Sequence, residues 1–448
     1  MVINNLKAIK NAVSPTHVSN AELFEAVKGF SIDSRSIRKG EAFIAVCGVH
    51  CDGHKYIKQA IDKGASLIIG QEHLKLSKVP YLKVNDSYQA LSSIVRFIRN
   101  KAKPYVFAIT GSVGKTTTKE MLAFLLEDKY KVLKNYQTEN NILGVAKTMF
   151  SLGDHEIIAL ELGTNSPGEI EDLTSAICPD VGIITFIKPV HLEKLRTLKG
   201  VFNEKISLFS SNPRMKAVLN YDDIYLRKAN IKRQVYYFGK NKKSDTYARL
   251  KSSNYQSSTF IVQDKFRLIL KTPFSSFIYN ALAAIQAARI LKLPLKGLIE
   301  KLNNFNAFGD LRMRIKEMPK YILLNDTYNA NPYSLGEAFK MVKKLPGQKI
   351  AVLGDMFELG EKACFYHKSL AKGVIKAGFD YCLLMGELTL HLKRELKSLG
   401  YRSVYHFSSH KDVVNFIKSK SKKTKYTVFL KGSRLMKLEK VFNLLSKT

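Results

Sequence analysis

The string Thr110-Gly111-Ser112-Val113-Gly114-Lys115-Thr116-Thr117 constrains this chain more than any other. It follows an unbroken apolar run of strand length, Tyr105-Val106-Phe107-Ala108-Ile109, and leads into a segment of helical spacing, Thr116 to Leu126. Glycines in a strand-to-helix turn let backbone N–H groups converge on phosphate oxygens. Lys115 then brings a mobile charge to the β- and γ-phosphates, and Thr116 brings a hydroxyl to Mg²⁺. The longer form of this loop has glycine five residues before Gly114. Here Ile109 stands at that place, so the loop is a shorter variant.

Short apolar strands alternating with helices predict a mainly parallel, doubly wound α/β sheet. At about 150 residues per domain, 448 residues predict three domains. Residues 1–103 read as a small α/β domain, with strands at 42–46 and 66–69 and helices at 56–63 and 91–101. Lys103-Pro104 breaks the last helix. Residues 104–310 carry the phosphate loop, strands at 157–160 and 181–184, and an Ala-rich helix at 279–291. Residues 311–448 repeat the pattern as a Rossmann-like domain, with strands at 321–324, 349–353, 381–384 and 427–430. A linker at 309–312 is the expected hinge.

Composition excludes several classes. Five cysteines cannot form a disulfide framework. Residues 1–14 hold Lys7 and Lys10 and no long apolar run, so they do not read as a signal peptide. No apolar stretch approaches 18 residues, so no integral membrane segment is expected, and the cytoplasm is the expected compartment. The net charge of +34 predicts attraction to anions. Residues 410–448 hold eleven Lys and Arg against two acids, interleaved with apolar strand and helix positions, which is the pattern of a solvated basic face. No aromatic-rich nucleic-acid motif accompanies it, so no nucleic-acid partner is expected.

Other polar residues carry weaker signals. Glu161 ends a strand, on the side where open α/β sheets collect ligands, and a carboxylate there can hold a phosphate-bridging metal. Read alone, a plain loop glutamate fits equally well. His191 follows the 181–184 strand on the same side. Lys205, read alone, is a surface lysine early in an amphipathic helix. Cys47, His50, Cys51 and His54 suggest zinc, but structural zinc sites pair two knuckles across a longer loop and this is one compact set.

The whole chain resembles the Mur ligases, ATP-dependent amide-forming enzymes of peptidoglycan precursor synthesis, a process tied to cell shape and division. Asp33-Ser34-Arg35, Lys39-Gly40-Glu41-Ala42-Phe43 and Asp52-Gly53-His54 resemble the family's UDP-sugar signature; 110–117 is its phosphate loop. Asn140-Asn141-Ile142-Leu143-Gly144, Glu161-x-Gly163, His191-Leu192-Glu193, Lys205 and Asn280-Ala281-Leu282-Ala283-Ala284 match in order and spacing. In the third segment, Asp326-Thr327-Tyr328-Asn329-Ala330-Asn331-Pro332 looks like the members that add D-alanyl-D-alanine. So do Leu353 to Gly360 with His367, and Lys431-Gly432-Ser433-Arg434. The chain departs from the family at Phe186, where the family pattern has asparagine after the threonine, at Arg196-Thr197, and at Ser276-Phe277.

The resemblance implies an ADP-forming ligase, expected to be monomeric, that joins D-alanyl-D-alanine to a UDP-N-acetylmuramoyl-tripeptide through an acyl phosphate. ATP and two Mg²⁺ are the implied cofactors. Gly111, Ser112, Val113, Gly114, Lys115, Thr116, Thr117, Asn280, Arg312 and Asp326 would bind the nucleotide. Ser34, Arg35, Gly53, His54, Asn329 and Asn331 would bind the other substrates. Thr116, Glu161, His191 and a carbamylated Lys205 would hold the metals, and Lys115, Lys205, His191 and Asn141 would serve the reaction. A sister ligase with another amine, including a folylpolyglutamate type, and a nucleic-acid-stimulated NTPase are the rival readings.

Overall fold

Side chains of the strand Tyr105–Thr110 alternate between two cores: Val106 and Ala108 face one, Phe107 and Ile109 the other. Successive strand residues point to opposite faces, so a wholly apolar strand needs cover on both. The computed structural model supplies it. Helices Lys115–Leu126 and Ile278–Ile290 cover the Phe107 face, and Ile142–Phe150 and Glu169–Ile177 the other. The strand pairs in parallel with Ile157–Glu161 and Val181–Ile184. The structure describes all residues except 1, 49, 50, 138, 255, 307–313, 346, 422–424 and 448. The expected hinge at 309–312, with Arg312, therefore lies outside the described residues.

Among the described residues, three sheets organise the chain. The first has five strands, parallel except for His17–Ser19 at one edge. The second runs Val132–Lys134, Ile157–Glu161, Tyr105–Thr110, Val181–Ile184, Lys216–Asn220, Val235–Gly239, Thr246–Ser253 in parallel. It then adds Ser258–Val262 and Phe266–Leu270 antiparallel. Strand–helix alternation does not anticipate this meander. Its tight turn uses Gln263 and Asp264 at positive φ, without the glycine that usually signals a hairpin. The third sheet has six strands, parallel except for Arg314–Glu317 at its edge.

The helix expected over 91–101 starts earlier, at Ser87, because the Asp86 carboxylate accepts the N–H groups of Tyr88 and Gln89 at 2.7 and 3.1 Å. Such a cap stabilises a helix by about 1 kcal/mol. Lys103 in the left-handed region and Pro104 end it. The helix docks the first sheet on the second. Arg99 Nη2 donates to Asp180 at 2.9 Å, and the same Asp180 carboxylate accepts the N–H of Val106 at 2.8 Å. Ile94, Val95 and Ile98 share one core with Ala176 and Ile177. Among the described residues, no helix is long and apolar enough to cross a membrane.

Candidate active site

The turn after Tyr105–Thr110 has no room for side chains at its glycines. A Cβ on Gly111 (φ +141°) would lie 2.1 Å from Thr185 Oγ1, and one on Gly114 (φ +88°) 2.3 Å from Asn280 Oδ1. Gly114 also caps the helix Lys115–Leu126, so the loop's N–H groups and the helix N-terminus face one concavity. Lys115 folds back over it, with Nζ donating to Gly111 O at 2.9 Å.

Glu161 is fully buried at the end of its strand, and both carboxylate oxygens are engaged. Thr116 Oγ1 donates to Oε2, and Asn140 Nδ2 donates to Oε1 at 2.9 Å. Asn135 fixes the backbone beneath: its Oδ1 accepts Glu161 N at 2.9 Å and its Nδ2 donates to Glu161 O at 3.0 Å. Gly163 leaves space for Asn140, since a Cβ there would lie 2.3 Å from Asn140 Oδ1. Of the adjacent asparagines, Asn140 touches the carboxylate, while Asn141 lines the cavity and caps Ile142–Phe150 by accepting Gly144 N at 3.0 Å.

Lys205 overturns its reading as a surface residue early in a helix. It is the penultimate residue of Leu198–Ile206 and only 1% exposed. Burial, then the Lys115 charge, pushes its amine well below the ordinary lysine value, with Glu204, Glu161 and Glu169 opposing. The preceding Glu204 is committed to structure, accepting Thr164 Oγ1 and Ile170 N at 2.9 Å and Gly168 N at 2.7 Å. His191 adopts φ +52° at the start of a short helix. Its Nδ1 lies 2.6 Å from Oε2 of Glu358, which belongs to the third sheet's domain.

A cavity of about 400 Å³ brings these groups together. From the phosphate loop it takes Ser112, Val113, Gly114, Lys115 and Thr117, with Asn141, Glu161, His191 and Asn280. Asp326, Asn329 and Asn331 close it from the third domain. Lys431 Nζ ties that side, donating to Asp326 and to Asn329 O at 2.9 Å, while Asn331 caps Pro332–Val342. Gly111, Thr116 and Lys205 lie behind the lining. A second cavity, of about 770 Å³, opens toward the first domain along Tyr88, Ser92 and Arg96. The two cavities share Asn141, Gly163, Asn165 and Glu169.

Two of the three departures from the family pattern place an aromatic side chain at the site. Phe186 packs on Tyr279 at 4.9 Å and on Tyr333 of the third domain at 5.7 Å between ring centroids. Lys188 Nζ sits over Phe186 and Tyr333 at 5.4 and 5.1 Å. Burial raises both tyrosine hydroxyls above their ordinary pKa. Phe277 lines the same end of the cavity.

Four expected substrate residues, Ser34, Arg35, Gly53 and His54, line neither cavity. Ser34 is buried and donates to Gln59 at 2.6 Å; Arg35 is exposed and paired with Asp33. Cys47, Asp52 and His54 do converge, with ligand atoms within 4.8 Å of one another. Both ring nitrogens of His54 are nonetheless engaged: Nδ1 with Asp52 at 2.7 Å, and Nε2 accepting Gln71 N at 2.9 Å. His50, the fourth member of the set read from the sequence, lies outside the described residues. Sequence reasoning missed Asn135, Glu358, Tyr333 and the contact made by Lys431. The strings around Lys431 and Glu358 marked their places but not their partners, and Asn135 and Tyr333 show only through contacts distant in sequence.

Residues 26–130 match the catalytic domain of the Mur ligase family, 109–288 the Mur ligase middle domain, and 311–434 the Mur ligase glutamate ligase domain. A UDP-N-acetylmuramoyl-tripeptide–D-alanyl-D-alanine ligase of Buchnera aphidicola subsp. Acyrthosiphon pisum (strain APS) is 31% identical over 440 residues, 95% of each chain. The enzyme of the same name from Escherichia coli K12 is 28% identical over 96% of this chain and 97% of its own. Among solved structures, MurF of Acinetobacter baumannii superposes with a TM-score of 0.89 at 24% identity, covering 99% of this chain and 98% of that one. MurF ligase of Thermotoga maritima in complex with ADP superposes with a TM-score of 0.83 at 27% identity, over 94% and 97%.

Proposed function

The chain belongs to the Mur ligase family, and from that premise we propose that it joins D-alanyl-D-alanine to the terminal carboxylate of a UDP-N-acetylmuramoyl-tripeptide, converting ATP to ADP and phosphate. This makes it a ligase of peptidoglycan precursor synthesis. The observation that carries the reading is the junction of the two cavities at Asn141 and Gly163, beside Glu161. A triphosphate on the 110–117 loop directs its terminal phosphoryl group there. A peptide acid entering along Tyr88 and Arg96 meets it.

A carboxylate is inert toward amines because its oxygen is a poor leaving group. Attack of the peptide carboxylate on the γ-phosphorus forms a new O–P bond, breaks the bond to the β-phosphate oxygen and releases ADP. The dipeptide amine then attacks the acyl phosphate, phosphate departs, and the amine loses its proton. The work of the protein is positioning and charge neutralisation. Loop amides and Lys115 hold the phosphates. Asn140 and Thr116 fix the rotamer of Glu161, and Asp326, Asn329 and Asn331 close the site from the third domain against water.

The donor set suits Mg²⁺, a hard ion that prefers oxygen ligands: a threonine hydroxyl and a carboxylate already in contact. Thr116 and Glu161 would hold one ion, and Glu161, His191 and Lys205 a second. Bound there, they would spread the charge on the transferring phosphoryl group. An ammonium cannot ligate a cation, but burial lowers the Lys205 pKa and so favours the neutral amine, the form that adds carbon dioxide, with loss of a proton, to give a carboxylate-like carbamate.

The test is phosphate release by purified protein with ATP, Mg²⁺ and the UDP-linked tripeptide, supplying candidate amines one at a time. Release should depend on D-alanyl-D-alanine. Equal release with a single amino acid in its place would assign the chain to a sister ligase, and stimulation by DNA or RNA without the UDP-peptide would discard the reading.

A further inference from the structure

The helices on one side of the third sheet carry a charge distribution that the ligation chemistry does not use. Ala363–Ser369 and Ala371–Ala377 follow one another with a single helical residue, Leu370, between them. Their inward residues, Leu370, Ala371, Val374 and Ala377, share one core with Leu392 and Leu396 of the adjacent helix Thr389–Ser398. The outward side of this layer exposes Lys368, Lys372 and Lys376, then Arg394 and Lys397. On these three helices no Asp or Glu is exposed; Glu395, partly buried, is their one acid, and the exposed Asp380 and Glu387 lie in the segment between the second helix and the third. On the opposite layer, His410–Lys420 also exposes Lys411, Lys418 and Lys420, with Asp412 among them.

Two large apolar side chains project from the same layer. Phe365 is 64% exposed and Ile375 41%. Phe365, Lys368, Lys372 and Ile375 recur at steps of three, four and three, and Lys376 lies four residues after Lys372, which keeps them on one helical stripe. Lysines alone would fit any polyanion. Lysines flanking an outward phenylalanine and isoleucine fit a surface that is anionic at its rim and apolar beneath, so the apolar pair favours lipid over nucleic acid. None of these side chains lines either cavity.

We infer that the 363–398 helix layer is a docking face for an anionic phospholipid bilayer, on which the protein sits peripherally with Phe365 at the headgroup level. Each lysine or arginine near such a surface strengthens binding about five-fold, so losing four weakens it by nearly three orders of magnitude, about 600-fold.

The experiment is co-sedimentation of the full chain with vesicles of equal parts phosphatidylglycerol and phosphatidylcholine, and with phosphatidylcholine alone, at about 0.1 M salt, where the Debye length is about 10 Å. Binding should need the anionic lipid and fall about 600-fold in a Lys368→Gln, Lys372→Gln, Lys376→Gln, Lys397→Gln variant. Phosphate release in solution should stay unchanged. A control variant, Lys242→Gln, Lys251→Gln, Lys265→Gln, Lys292→Gln, lowers the net charge equally on exposed positions of the second domain and should bind as the parent does. If both variants lose binding alike, the attraction is diffuse charge and the docking face is refuted. The chain has no tryptophan, so Phe365→Trp makes a single reporter in an otherwise native protein. Its emission should shift to the blue on anionic vesicles, and an unmoved spectrum overturns the proposed depth. Single-stranded RNA that displaces the vesicles, with binding dependent on the same four lysines, would give the face to nucleic acid instead.

Discussion

Nδ1 of His191 and Oε2 of Glu358 lie 2.6 Å apart, although one belongs to the second sheet's domain and the other to the third. Both residues hold positive φ, 52° and 65°, and Glu193 N donates to Glu358 O at 3.2 Å beside them. The His191 ring holds the Glu358 carboxyl below its ordinary pKa. The pair thus joins a residue proposed to serve the metal to the element that closes the cavity. A half-exposed carboxylate–imidazole contact contributes about 1 kcal/mol or less, roughly a five-fold bias toward the closed form. Glu358→Gln should raise KM for the amine several-fold and leave the melting temperature within about 2 °C. Because the shift is downward, the pair's contribution is present above the ordinary glutamate pKa and is lost as pH falls through the depressed value. A KM that rises on acidification in the parent, but not in Glu358→Gln, is the signature to measure.

Lys205 should separate stability from turnover. A buried lysine whose pKa is lowered prefers to be neutral, so protonating it works against the fold. The unfolded chain binds that proton more tightly than the folded one. Stability from this group therefore rises with pH between the depressed value and the ordinary lysine value, and it is poorest below both. Lys205→Met removes the penalty and fills similar volume. Thermal melts from pH 6 to 10 should show Lys205→Met at or above the parent at the acidic end, with a flatter pH dependence. Phosphate release should fall at least a hundred-fold. A variant that melts higher and still turns over fully would remove Lys205 from the metal set.

The difference between Lys205 and Lys115 marks what a sequence can convey about a site. Lys115 is legible because its signal is local: a strand, two glycines and a helix fix what the next side chain faces. The parallel sheets are legible for the same reason, since apolar runs such as 105–109 and 381–384 need two covered faces. Lys205 stands among Ile206, Leu208 and Phe209 in a pattern that predicts an ordinary helix edge. Its burial comes from packing against the loop that Glu204 gathers, some 35 to 40 residues upstream. Family resemblance supplied that residue, and periodicity alone could not. The cross-domain contacts of Glu358 and Tyr333 were equally silent, because they depend on how two sheets with separate cores are set against each other.

Gly163 offers a test of Glu161 that leaves every functional group in place. A methyl group there would meet Asn140 Oδ1 at 2.3 Å and its amide nitrogen at 2.8 Å. Asn140 must swing away, and Oε1 of Glu161 loses its donor. A lost hydrogen bond to a charged acceptor costs about 1.5–3 kcal/mol. If the position of Glu161 matters chiefly as phosphoryl transfer proceeds, Gly163→Ala should lower kcat by about ten- to a hundred-fold with little change in KM for ATP. Pre-steady-state phosphate release resolves the two, and a pure KM effect would move Glu161 from the transfer step to ground-state binding.

Phe186 stands where the family pattern has asparagine, and its ring is the middle of a stack from Tyr279 to Tyr333. Aromatic pairs of this kind contribute about 0.5–1.5 kcal/mol each beyond the area they bury. One contact, to Tyr279, lies within the second domain, while the other crosses to the third. Phe186→Asn restores the family residue yet removes both, together with the Lys188 contact over the ring. Binding of ATP, measured by calorimetry, should weaken about five- to fifty-fold. Tyr333→Leu should reproduce only the cross-domain share, weakening ATP binding less and the amine KM by a comparable factor. Asparagine binding ATP as tightly as phenylalanine would mean that the stack serves domain packing and not the nucleotide.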